Sequence, residues 1–132
     1  MKKQVNSIST ISRLIVPIVS ALCIFCVALS VQAATLSLTP GTGVYTSNSN
    51  FTVKVAVNSQ GQSINAAEGT IKFNPSELSV VSVNRSSSIF SLWVTEPTFS
   101  NSAGTVSFSG GSPGGYTGSG GTVMSITFKA KG

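Results

Sequence analysis

The sequence predicts an all-β fold: two antiparallel sheets packed as a sandwich of about seven to nine short strands. Three observations carry that expectation. After residue 33, Ser, Thr, Gly, Asn and Val dominate and good helix formers are scarce. No window there places apolar residues at three- and four-residue spacing. Instead, short runs alternate apolar with polar residues and are punctuated by Gly, Pro, Asn and Ser clusters.

Residues 1–33 read as a signal peptide. Lys2, Lys3 and Arg13 form a positive leader, Leu14 to Val31 is mostly apolar, and Val31-Gln32-Ala33 offers a small-residue exit with cleavage before Ala34. An uncleaved membrane anchor is the other reading, since the run approaches a spanning length. Pro17, Ser20, Ser30 and the small-residue exit favour export in the bacterial manner. Cys23 and Cys26 lie inside this segment, so residues 34–132 carry no thiol and no disulfide framework. Those 99 residues make one domain, long enough for a modest core.

The elements follow in order. Leu36 and Leu38 alternate with Ser37 and Thr39 in a first strand that Pro40-Gly41 ends. Phe51, Val53, Val55 and Val57 make one face of the clearest strand, with Thr52 and Lys54 opposite. After the polar turn Ser59 to Ser63, a third strand is expected over Ile64 to Phe73, with Gly69, Ile71 and Phe73 inward. Asn74-Pro75 stops it, because proline donates nothing to a ladder and pushes its predecessor out of helical space. Leu78 to Asn84 returns to the same core as a fourth strand, with Val81 marking a slip or bulge.

Phe90 to Thr95 is expected as a fifth strand that Pro97 closes, with a further short strand starting at Thr98-Phe99. Asn101-Ser102-Ala103-Gly104 turns into a strand carrying Val106 and Phe108. Gly110 to Gly121 holds seven glycines in twelve residues and reads as an irregular loop or bulge-rich connection. The chain closes with Met124, Ile126, Phe128 and Ala130 inward, opposite Val123, Ser125, Thr127 and Lys129.

Charge and residue inventory then exclude several functions. After residue 33, Lys54, Lys72, Arg85, Lys129 and Lys131 face Glu68, Glu77 and Glu96, a scattered net charge of +2 that offers no nucleic-acid face. The chain has no His and no Asp, so histidine acid–base schemes and triads are excluded. Three dispersed glutamates supply neither a glycosidase pair nor a calcium cluster. The chain reads as non-catalytic, with no cofactor and no metal. Asn50-Phe51-Thr52 and Asn84-Arg85-Ser86 match the glycosylation pattern, but both asparagines serve as turn residues.

Three patches give the chain a family resemblance. They are Phe51 to Val57; Gly69-Thr70-Ile71-Lys72-Phe73-Asn74-Pro75-Ser76-Glu77-Leu78; and Gly104-Thr105-Val106-Ser107-Phe108 followed by Gly121 to Lys129. In order and spacing they resemble a cohesin module, the sandwich that recognises dockerin domains in cellulosome scaffolds and related surface proteins. The resemblance implies a nine-stranded jelly roll whose partner face includes the strand ending at an aromatic-Asp-Pro corner, here Phe73, Asn74 and Pro75. It places Glu68 where an acidic dockerin contact is common and Ala66 where Asn is common. Gly110-Gly111-Ser112 stands where acidic residues often follow the Phe108-like strand. Alternation independently puts Ala66, Glu68, Thr70 and Lys72 on the face away from the core. The expected partner is a dockerin-like domain, met outside the cell or at its surface.

Two other functions compete with docking. A carbohydrate-binding module would use Trp93 and Tyr116 as sugar-stacking rings. Trp93 sits between Leu92 and Val94, so strand register decides whether it faces core or solvent; Tyr116 either stands exposed or pins its glycine-rich loop. A structural spacer in a larger surface protein is the other alternative, and a single module suggests a fragment of such a protein.

Overall fold

The computed structural model describes residues 33–132, so the leader expected over 1–33 falls outside the described residues except for Ala33. Seven strands follow: β1 (Thr35–Thr39), β2 (Asn50–Asn58), β3 (Ile64–Lys72), β4 (Leu78–Asn84), β5 (Leu92–Ser100), β6 (Thr105–Tyr116) and β7 (Gly121–Ala130). They form a four-stranded sheet ordered β1-β2-β7-β4 and a three-stranded sheet ordered β3-β6-β5. Every pairing is antiparallel. The sandwich expected from the alternation is present, at the low end of the expected strand count.

The core lies between the sheets because both sheets bury one set of alternate residues. Val53, Val55 and Val57 of β2 are buried, as are Val106 and Phe108 of β6 and Met124, Ile126 and Phe128 of β7. Phe128 anchors an aromatic cluster, meeting Phe73 edge-on at 5.4 Å and Phe51 at 5.7 Å between centroids. Val123 departs from its expected outward position and is fully buried. The cause is a bulge: Val55 pairs with Met124 but Ala56 pairs with Thr122, which leaves Val123 unpaired and turns it inward.

The Phe73-Asn74-Pro75 corner carries the chain from one sheet to the other. The Asn74 side-chain oxygen accepts from the Ser76 amide at 3.1 Å and the Ser76 hydroxyl at 2.7 Å, an Asx turn that satisfies the corner locally. Lys131 ties the corner to the end of β7, donating through Nζ to the Pro75 carbonyl at 2.6 Å. Beyond the corner, β4 slips between Val80 and Ser82, and Val81 is the exposed extra residue.

In the second half one expectation is corrected and one open alternative is decided. Pro97 does not close a strand: β5 runs unbroken to Ser100, with register shifts between Trp93 and Thr95 and between Thr95 and Thr98. An edge strand tolerates proline where a bulge already interrupts the ladder. This merger also removes one of the strands that a nine-stranded course would count. The first seven residues of the glycine-rich stretch, Gly110 to Tyr116, belong to β6, which pairs with β3 through a register shift. Of the two readings of this stretch, irregular loop or bulge-rich connection, the second is the one present.

Buried Ser59 holds the following turn, its amide donating to the Gly118 carbonyl at 2.8 Å and its Oγ accepting from the Gly118 amide at 3.0 Å. Asn101, in the β5–β6 turn, reaches the other sheet. Its Oδ1 accepts from the Val80 amide at 2.7 Å and its Nδ2 donates to the Val80 carbonyl at 3.0 Å. One side chain thereby completes the outer edge of β4 and ties the two sheets together.

Candidate docking face

The outer surface of β3-β6-β5 is the candidate site. Because successive strand residues point to opposite faces, burial of Val106 and Phe108 turns Thr105, Ser107 and Ser109 outward. Antiparallel register then builds rows across the three strands. Ala66 lies beside Gly111 and Leu92, and Glu68 beside Ser109 and Thr95. Thr70 lies beside Ser107 and Thr98, and Lys72 beside Thr105 and Ser100.

Ala66, Glu68, Thr70 and Lys72 are all solvent-exposed and share one strip. The Thr70 and Ser107 hydroxyls are 3.0 Å apart, a hydrogen-bonded cross-strand pair. Glu68 and Lys72 are four residues apart on an extended strand, about 13 Å, too far for an ion pair. Among the described residues the only salt bridge joins Arg85 to Glu96. Both charges on the face are therefore free to meet a partner. Leu92 and Val94 add exposed apolar surface at the β5 edge, with Val94 thrown out by its bulge at 88% exposure. A shallow depression forms between Glu68, Thr70, Thr95 and Ser109.

Alternation along the sequence locates the exposed strip on β3 but not its neighbours on β5 and β6. The alternation of Thr105, Ser107 and Ser109 with Val106 and Phe108 was the available signal. Which residues of β5 share the face depended on two bulges that no periodicity reveals.

The aromatic candidates sit elsewhere and are packed. Trp93 faces inward beside Gly110, where a Cβ would come within 2.8 Å of the indole. Phe90 meets Trp93 edge-on at 5.9 Å, and the Arg85 guanidinium lies 5.7 Å from the ring centroid. Arg85 is itself held by both carboxylate oxygens of Glu96, with contacts of 2.7 and 2.8 Å. Tyr116, at the end of β6, packs against the core and lies where a Cβ on Gly118 or Gly121 would intrude. Both residues thus contribute structural contacts, and they do not join the β3 strip.

No group of three His, Cys, Asp or Glu side chains is placed to hold a metal ion among the described residues. Nor is any described helix long and apolar enough to cross a membrane. A flat face of hydroxyls, small apolar residues and two separated charges is suited to contact another macromolecule, and the class it defines is a β-sandwich binding module. A family model for the Cohesin domain matches residues 35–132, and the chain belongs to the cohesin family. Cohesin domains are non-catalytic modules that bind dockerin domains, and the family is typically extracellular or at the cell surface. Nothing matches among curated proteins or solved structures.

Proposed function

We propose that this chain is an exported cohesin module that docks a dockerin-type domain through the outer face of β3-β6-β5, within an extracellular polysaccharide-degrading or cell-surface assembly. The observation that supports this reading is the exposed strip Ala66, Glu68, Thr70 and Lys72, flanked in register by hydroxyls of two further strands. Affinity comes from packing over a flat face with Leu92 and Val94 at its apolar end, plus hydrogen bonds to Glu68, Thr70 and Ser107. Glu68 and Lys72 contribute one charge of each sign, so orientation is specified more than long-range attraction. Ala66 contributes shape without a hydrogen bond. The polysaccharide reading draws no support from the packing, because Trp93 and Tyr116 both lie against the core.

The test is capture from the native host's secreted proteins by the immobilised chain. The expected result is retention of a dockerin-bearing protein, lost when Glu68→Arg and Thr70→Arg are introduced together while the melting temperature stays unchanged. Undiminished capture by the double variant would refute this face.

A further inference from the structure

The two sheets present four outer edges, and three of them are guarded. Asn101 occupies the β4 edge at Val80. Two bulges and Pro97 interrupt β5. Charged Glu68 and Lys72 mark β3. Edge strands are commonly protected by such devices because their unpaired amides and carbonyls are templates for another strand. β1 has none of them: Thr35-Leu36-Ser37-Leu38-Thr39 is uncharged, contains no proline or bulge, and among the described residues pairs only with β2.

β1 also leaves apolar surface uncovered. Leu36 and Leu38 pair with Val57 and Val55, so they point to the core side, yet they remain 45% and 44% exposed. Leu38 lines a cleft of about 370 Å³ with Tyr45, Phe51, Phe73 and Phe128, the open side of the core. What covers this edge is written in its own sequence. Paired antiparallel with a copy of itself about a two-fold axis, Thr-Leu-Ser-Leu-Thr sets leucine against leucine on one face and hydroxyl against hydroxyl on the other, with no like charges opposed, so the strand is complementary to its own copy.

We propose that two copies of this chain associate through β1, antiparallel and centred on Ser37, joining their four-stranded sheets into one sheet of eight. The register places Leu36 against Leu38 of the second copy on the core side of the joined sheet, and Thr35 against its Thr39. Ser37 meets its own copy at the axis, on the outer face. Each Leu38 is then covered by a leucine at the mouth of the cleft. The interface is isologous and closes at two copies, leaving the face of β3-β6-β5 free. A five-residue edge is small beside the roughly 1,200 Å² of a stable interface, so the association is a concentration-dependent equilibrium.

Sedimentation velocity on the full chain, expressed with its leader and recovered after export, tests this. The Ser37 hydroxyl makes only a long contact, 3.4 Å to the Ala56 carbonyl, so substitution there leaves the fold intact, as unchanged melting would verify. Wild type is expected to shift from monomer to dimer as concentration rises. Ser37→Lys and Ser37→Glu, each setting like charges opposite one another, are expected to stay monomeric, and an equal mixture of the two to recover the dimer. A wild-type monomer at every concentration up to ~1 mM would overturn the proposal. So would a dimer that persists in Ser37→Lys, or a mixture that stays monomeric. Amides of β1 that gain protection only when another secreted protein is added would give the edge to that protein and equally overturn it.

Discussion

Asn101→Ala tests the connection between the sheets. Asn101 makes two hydrogen bonds to Val80, at 2.7 and 3.0 Å, and Val80 is buried. Losing two net hydrogen bonds of about 1 kcal/mol each predicts a destabilisation of about 2 kcal/mol. If the Val80 amide and carbonyl are left without water, the cost rises to about 4 kcal/mol. For a domain of this size, 1 kcal/mol corresponds to roughly 4–8 °C in melting temperature, so the smaller figure already means a fall of about 8–16 °C. Thermal unfolding followed by circular dichroism, with a urea titration for the free energy, reads the change. Asn101→Asp serves as the control: it retains the acceptor for the Val80 amide but sets a carboxylate against the Val80 carbonyl, so it also destabilises. A fall below about 2 °C for Asn101→Ala would show that water replaces the side chain and that the sheets are held by core packing alone.

Two further substitutions probe local geometry. Gly104 has φ of 64° and its missing Cβ would run into the Phe73 carbonyl, so Gly104→Ala is expected to cost more than about 2 kcal/mol. Gly114 has open space around its Cβ position, so Gly114→Ala is expected to be neutral or to stabilise by up to about 1 kcal/mol; denaturant midpoints compare the two. Arg85→Ala removes an exposed pair with Glu96 and the cation over Trp93, for an expected loss under about 1.5 kcal/mol that shrinks in high salt. Its tryptophan emission should shift as the ring loses its cover, and an unchanged spectrum would contradict the placement of Arg85.

Much of this architecture was legible in the sequence because strand alternation survives wherever one face is buried. The valines of β2 and the span of β4, including the slip at Val81, were readable for that reason. Legibility failed where a local insertion changed the register. Val123 looks outward by parity but turns inward at a bulge, and no composition signal distinguishes the two. Pro97 reads as a strand end because proline lacks a donor, yet an edge strand has donors to spare. Gly110 and Gly111 leave an irregular loop and a bulge-rich connection both open, because glycine disfavours regular strands. Here glycine is the residue that lets Trp93 pack against the ladder, and a Cβ at Gly111 would run into the Asn65 carbonyl. For the candidate site, parity on β3 was sufficient to find Ala66, Glu68, Thr70 and Lys72. The hydroxyl rows required knowledge of which strands are neighbours, and sequence order does not supply it.

The most direct test of the docking account is amide hydrogen exchange of the chain alone and bound to the dockerin domain it captures. Protection is expected to increase along Ala66–Lys72 and along the β5 and β6 residues that share their face, with little change at Thr52, Lys54 and Thr127 on the opposite sheet. Protection concentrated on that opposite sheet, with β3 unaffected, would contradict the claim that the three-stranded face is the docking surface.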